Sequence, residues 1–476
     1  QAVKHLCAEM LETAEAATAA AFDAANAADA ARSPGAEDAG QWGFAADVAM
    51  VTALDGAVEV AKACIQVLGG IGFTFEHDAH LYLRRSLTLR GLLGDTDAAA
   101  RRLAGRAAAG VRRRVELDLE GRDDAVRADV RAKVEAIAAR PEGERRAALV
   151  DAGYLTPHWP APFGLAADPV LQLVIDQELA RASVERPDLV IAGWALPTIL
   201  EHGTPEQQER FVRPSLLGDL VWCQLFSEPG SGSDLASLRT RAERVEGGWR
   251  LWGQKVWTSM AERADWGICL ARTDPDVPQH RGISYFLVDM RSAGIDVRPL
   301  REITGEALFN EVFLDDVFVP DDCLVGGLGD GWRLARTTLA NERVAMATTR
   351  LDRSTERAVA LAAGGGLSEP QLVRVGRAVA LSTVCTLLGV RTTLRSLAGR
   401  GPGAESSVAK LLGVRNRQDG AELVVRLLEE RVATDGDDVH AAVWELLNTR
   451  CLSIAGGTTQ VLRNVAGERI LGLPRS

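Results

Sequence analysis

The chain has 476 residues, 25% of them charged, and a formal net charge of −11. That length holds two to four domains, and the acidic balance argues against nucleic acid as the main partner. Seven scattered cysteines with no C-x-x-C pair exclude a zinc or disulfide framework and suit a reducing, cytoplasmic setting.

Residues 1–32 form an Ala-rich helical stretch that Ser33-Pro34-Gly35 closes. The chain opens on Gln1 inside this pattern, with neither initiator Met nor signal peptide, and reads as a fragment of a longer chain. A second helix is predicted from about 39 to 68, stopping at Gly69-Gly70-Ile71-Gly72, and a third from about 76 to 92. Residues 95–123, with Arg112-Arg113-Arg114 followed by acidic residues, are expected to be a linker. Residues 124–220 are helical again, broken by Pro157-His-Trp-Pro160-Ala-Pro162. From 221 to about 322 the period changes to short apolar runs, Val221–Phe226, Gly248–Trp252 and Ile283–Val288, which read as strands; Glu246-Gly247-Gly248 reads as a hairpin turn. From 331 to the end the pattern is helical. No apolar run reaches the ~18 residues of a membrane span.

Two segments of the strand region stand out, Gln224-Leu-Phe-Ser-Glu-Pro-Gly-Ser-Gly-Ser-Asp234 and Gln254-Lys-Val-Trp257-Thr258-Ser259. Each alone fits a Gly-Pro turn or a core Trp. Together they resemble the flavin-binding signature of the acyl-CoA dehydrogenases, and they offer what a flavin ring needs, an aromatic wall and hydroxyl donors for its polar edge. Gly230 and Gly232 allow close backbone approach. Gly327-Leu-Gly-Asp-Gly331 lacks the preceding strand of a dinucleotide loop. His77 and His80 have no third ligand nearby and read as structural, so no metal is expected.

In the helix that follows, Ala335, Leu339, Glu342 and Met346 share one face. Glu342 interrupts this apolar stripe. A buried carboxylate is costly unless paired or functional, and burial raises its pKa, which suits a base for a weakly acidic C–H. A salt bridge with Arg336 or Arg350 is the structural alternative.

Over nearly the whole chain, and most specifically in the two flavin segments, the sequence resembles the acyl-CoA dehydrogenases. The resemblance implies a mainly α fold with a central β domain: a helical domain, a β-barrel-like domain and a C-terminal four-helix bundle, preceded by part of a second bundle. The expected division is 1–94 for a partial C-terminal bundle of a first copy, 95–123 linker, 124–220 N-terminal helical domain, 221–327 β domain and 328–476 C-terminal bundle. The layout is similar to fused double acyl-CoA dehydrogenases of actinobacteria, some of which act on steroid side chains. The resemblance also implies roles. FAD contacts Gln224, Phe226, Ser227, Gly232, Ser233, Trp257 as the wall, Thr258, and Ser259 near the hydride-accepting nitrogen. Thr458 and Gln460 match further cofactor positions. Many members carry the base at the position of Gly456 in Ala455-Gly456-Gly457-Thr458; others carry it where Glu342 stands, with Arg343 beside it. The empty Gly456 therefore favours Glu342, while its backbone N–H remains for the thioester oxygen.

The partial copy complements this. Gln66-Val-Leu-Gly69-Gly70 resembles the segment that cradles the adenosine end of a flavin. In ungapped register Leu93 takes the base position there, so this copy lacks a late base. The second copy has no Gln-x-x-Gly-Gly between Arg400 and Trp444, and Ala362-Ala-Gly-Gly-Gly-Leu367 stands where an Arg-x-x-Phe-Gly motif is expected. One FAD per chain follows. The implied function is FAD-dependent α,β-dehydrogenation of an acyl-CoA thioester to a trans-2-enoyl-CoA, on a steroid side-chain, long or branched acyl group. Electrons pass to an electron-transferring flavoprotein, and the assembly is a homodimer of fused chains. The alternatives are a non-catalytic flavin- or CoA-binding partner and a flavin acyl-CoA oxidase.

Overall fold

The computed structural model describes residues 1–32, 39–115, 119, 121–347, 353–397, 403–433 and 436–475; the side chains of 39, 342–347 and 396–397 lie outside the description. In chain order come α1 (Ala2–Ala31), α2 (Ala39–Ala49), a π-helical turn (Met50–Leu54), α3 (Asp55–Leu68), a 3-10 turn (Gly69–Phe73), α4 (Ala79–Leu93) and α5 (Thr96–Ala108). Next are α6 (Asp124–Ala138), α7 (Glu142–Asp151), α8 (Pro169–Arg181), α9 (Ala192–His202) and α10 (Pro205–Leu217). The strands are β1 (Trp222–Leu225), β2 (Arg241–Val245), β3 (Gly248–Ser259), β4 (Trp266–Arg272), β5 (Ile283–Asp289), β6 (Ile295–Leu300), β7 (Phe309–Pro320) and β8 (Leu324–Val325). The chain closes with α11 (Gly331–Ala347), α12 (Arg353–Ala363), α13 (Glu369–Leu397), α14 (Glu405–Leu428), α15 (Asp437–Asn448) and α16 (Thr459–Arg469).

These elements divide into two units: residues 1–117 with 346–476, and residues 118–345. The first unit is all helical and discontinuous in sequence. Its core mixes both ends of the chain: Ala8, Ala16 and Ala20 of α1, Phe44, Leu103 of α5, Val359, Val379, Leu412 and Val424 belong to one buried cluster. α1 buries Lys4, Ala8, Glu12, Ala16 and Ala20, a spacing of four that makes one stripe. Its charged members find partners on α16: Lys4 pairs with Glu468 at 2.7 Å and Glu12 with Arg463 at 3.2 Å.

α5 corrects the expected linker. Asp95 accepts a hydrogen bond from the Asp97 N–H at 2.9 Å and caps the helix. Its buried stripe is Ala99, Ala100, Leu103, Ala104 and Ala107, helical spacing written in small residues. They allow α13 very close: a Cβ on Gly376 would fall 1.8 Å from the Ala100 carbonyl oxygen. The Arg cluster is tied down as well: Arg112 pairs with Glu356 at 2.5 Å and Arg113 with Asp23 at 2.8 Å. The expectation of no span-length apolar helix also needs correction. Glu369–Arg395 within α13 is long and apolar enough to cross a membrane. Its packing on α5 and α14, with half of that window buried, makes it a core helix of this bundle.

The second unit holds α6–α11 and one eight-stranded sheet, ordered β6-β7-β3-β2-β4-β5-β8, with β1 pairing β4 in parallel. β2 and β3 form the expected hairpin, with Gly247 at φ +73° supplying the turn. Among its helices the buried Glu178 is a hub, accepting from Arg127 and Arg131 at 3.0 Å and from Arg181 at 2.8 Å. Those guanidiniums, Arg131 first, hold its carboxyl down to about 2 against the opposing effect of burial. A depressed carboxyl stabilises the fold above its unfolded pKa and loses that contribution as pH falls toward the folded value. Glu178→Gln should therefore lower the melting temperature clearly at pH 6, with the gap to the parent narrowing between about pH 4.5 and pH 2. Melts recorded across that range check this; a gap independent of pH contradicts it.

Candidate active site

The two flavin-like segments, which begin 30 residues apart at Gln224 and Gln254, meet in the second unit. The Val256 N–H donates to the Ser227 carbonyl at 2.9 Å, tying the segments backbone to backbone. Beneath them Lys255 is fully buried and donates to the carbonyls of Phe226 at 3.2 Å and Leu270 at 2.8 Å and to Glu228 at 2.9 Å. The Glu228 carboxylate also accepts from the Arg239 and Thr240 N–H groups at 2.7 and 2.9 Å. Burial opposes its ionisation, but Lys255 and these donors outweigh that and leave its pKa below the ordinary value. Neither residue figures among the sequence-predicted site residues, although both lie inside the quoted motifs. The pair shows only in the fold, where the buried Lys255 ammonium requires a partner.

β3 carries a register shift against β7 between Lys255 and Thr258. There Trp257 takes a left-handed φ of +59°, which non-glycine residues rarely adopt, and its ring stands 62% exposed. The next residue, Thr258, is buried, and its hydroxyl has no partner among the described residues; such an orphan is the kind a bound polar ring edge would satisfy. Ser259 and Ser227 are half-buried, Gly232 and Ser233 exposed. A Cβ at Gly230 or Gly232 would meet nothing within 4 Å, so the loop has open space above it. An exposed aromatic face, hydroxyls and an open glycine loop fit a flavin. The Phe226 ring is buried, edge-on to Tyr285 at 6.0 Å, which leaves its backbone for a cofactor. Gln224 is held by the Trp194 indole N–H at 2.7 Å.

α11 is anchored in the same unit. The buried Thr338 hydroxyl lies 2.8 Å from Thr198 of α9 and 3.1 Å from the Tyr285 hydroxyl. Ala335 is buried, Leu339 half-buried and Arg336 exposed, as the stripe requires. The side chains of Glu342 and Arg343, on the next turn, lie outside the described residues.

In the first unit, Gly456 and Gly457 take φ +63° and +100°, a turn that side chains resist. Thr458 then caps α16, accepting from the Val461 N–H at 3.3 Å, with Gln460 exposed on the first turn. Gln66, Gly69 and Gly70 lie at a different helix end, the exposed C-terminus of α3, where Gly69 has φ +62°. Among the described residues no group of three or more potential metal ligands is present. His80 stacks on Phe75 with ring centroids 4.3 Å apart, and His77 accepts from the Ala79 N–H at 3.1 Å.

Comparison with known proteins agrees with this geometry. The family model for the acyl-CoA dehydrogenase middle domain matches residues 223–317, that for the N-terminal domain residues 122–219, and that for the C-terminal domain residues 1–108 and 329–471. The chain is 57% identical over its whole length to acyl-CoA dehydrogenase FadE34 of Mycobacterium tuberculosis, spanning 65% of that relative's length. It is 36% identical to acyl-CoA dehydrogenase IpdE1 of the same organism, over 70% of this chain and 89% of the relative. Among solved structures, the Tcur3481-Tcur3483 steroid ACAD aligns with 27% identity and a TM-score of 0.63, covering 76% of this chain and all of that one. The ChsE4-ChsE5 complex of M. tuberculosis aligns with 26% identity and a TM-score of 0.59, over 76% of this chain and all of that one.

Proposed function

Because this chain belongs to the acyl-CoA dehydrogenase family, a family of oxidoreductases, we propose that it dehydrogenates an acyl-CoA thioester between its α and β carbons. The observation that carries this reading is the junction of the two flavin segments, where Trp257 stands exposed beside an orphaned Thr258 hydroxyl. FAD bound there supplies the hydride acceptor. Trp257 walls the ring, Ser227 and Ser259 donate to its edge, and Thr458 and Gln460 contribute further contacts. Glu342 takes the α-proton, with Arg343 beside it, and the Gly456 N–H donates to the thioester oxygen as negative charge builds there. Glycine at 456 leaves room for a bulky acyl group, and the alignment with a protein described as a steroid ACAD supports a steroid side-chain substrate. Gln66, Gly69 and Gly70 supply the adenosine cradle, so the two copies share one FAD. Electrons leave to an electron-transferring flavoprotein. Phe73, Phe75, Tyr82 and Leu92 are each more than two-thirds exposed, an apolar surface of the kind that marks an interface and supports a homodimer.

The test is the flavin content of the purified protein, followed by turnover of octanoyl-CoA, palmitoyl-CoA and a steroid carrying a propanoyl-CoA side chain. One FAD per chain with preference for the steroid thioester is expected. Two per chain would overturn the shared site, and none would favour the non-catalytic partner.

A further inference from the structure

The Gly456 turn rests on a residue with no role assigned so far. Lys410 of α14 is 3% exposed, and its ammonium donates to the carbonyls of Ala455 and, at 3.1 Å, Gly457. These carbonyls bracket Gly456. A trans peptide is planar, with its C=O and N–H pointing in opposite directions. The Ala455 carbonyl and the Gly456 N–H belong to one such plane. Holding the carbonyl toward α14 therefore aims the N–H away from it, and that N–H has no acceptor among the described residues. Glycines at 456 and 457 leave this plane little intrinsic preference, so an external hold decides which way it faces.

The chain carries its own comparison. Thr458 caps α16 as Asp95 caps α5. The register that aligns these caps pairs Gly456 with Leu93 and Lys410 with Asp47. In the first copy, where Leu93 stands in place of Gly456, a buried aspartate takes the lysine's position, and it faces Arg102 at 2.7 Å and Arg106 at 3.2 Å. The position thus keeps a buried charge in both copies, but only in the second does the charge hold the turn carbonyls.

We propose that Lys410 is a positioning residue for the reaction: it locks the 455–457 turn so that the Gly456 N–H faces the substrate's thioester oxygen. The proposal rests on the reading of Gly456 given above. Lys410→Met should lower kcat about ten- to hundredfold, less than outright loss of an oxyanion donor, with KM and flavin content little changed. Activity alone would not separate positioning from loosened packing, so the deciding readout is vibrational. The probe is the trans-2-enoyl-CoA product of the panel substrate turned over fastest, 13C-labelled at the thioester carbonyl and bound to the oxidised holoenzyme. The parent enzyme should shift the carbonyl stretch below its value in solution, and Lys410→Met should lose most of that shift. Glu342→Gln, which leaves the turn alone, should keep it. If Lys410→Met does not fold, Lys410→Gln, one bond shorter and uncharged, is read the same way. A full shift in whichever variant folds overturns the Lys410 proposal alone. No shift in the parent enzyme overturns the reading of Gly456, and this proposal with it.

Discussion

Glu342→Gln should leave the protein folded and its FAD bound, and slow substrate-driven bleaching of the flavin by about a thousandfold. The substitution keeps the shape of the side chain and removes its ability to accept a proton. A thioester α-proton is weakly acidic, so the step needs a base whose pKa has been raised by desolvation and whose position is fixed before substrate arrives. α11 meets the second requirement through its own packing, since Thr338, one turn before Glu342, is clasped by Thr198 and Tyr285. Anaerobic rapid mixing of holoenzyme with its best acyl-CoA measures the effect. A rate within tenfold of the parent enzyme would remove Glu342 as the base and return the search to residues near Gly456.

Lys255→Met should cost the protein about 3–5 kcal/mol and most of its affinity for flavin. The cost comes less from the lost attraction than from Glu228, which is 8% exposed and would keep a charge with no cation beside it. Two backbone N–H groups still reach that carboxylate, so Glu228→Gln should be milder, and the double variant Lys255→Met, Glu228→Gln should recover part of the loss. Flavin affinity falls because Lys255 also holds the Phe226 carbonyl next to Ser227, keeping the two segments in register. Urea unfolding and FAD retained through gel filtration check both parts. Single-variant stability within about 1 kcal/mol of the parent, the size of a surface pair, would show that water reaches Glu228 and that the pair is not a keystone of the site.

The two segments that meet at Ser227 and Val256 stand out in the sequence because each is local: a few adjacent residues carry the turn, the indole and the hydroxyls, and the sheet has only to bring two such pieces together. The strands and the hairpin at Gly247 were legible for the same reason. α5 was missed because its buried face is made mostly of alanines between arginines, which carries little hydrophobic contrast. Its close packing depends on Gly376, far along the chain, admitting it closely. Lys255 and Lys410 escaped for a related reason. What makes each informative is burial among carbonyls distant in sequence, and the sequence alone does not say which lysine turns inward. The inward turn of Phe226 is likewise settled by Tyr285 across the sheet.

The split of the helical unit across residues 1–117 and 346–476 also sets an order of events during synthesis. Residues 118–345 are contiguous and can complete their packing as soon as they emerge. The opening helices cannot, because Ala8, Ala16 and Leu103 share a core with Val379, Leu412 and Val424. At typical elongation rates they wait on the order of tens of seconds for those partners. From the synthesis of α1 until α13 and α14 emerge, the nascent chain thus carries an apolar face whose partners have yet to be made.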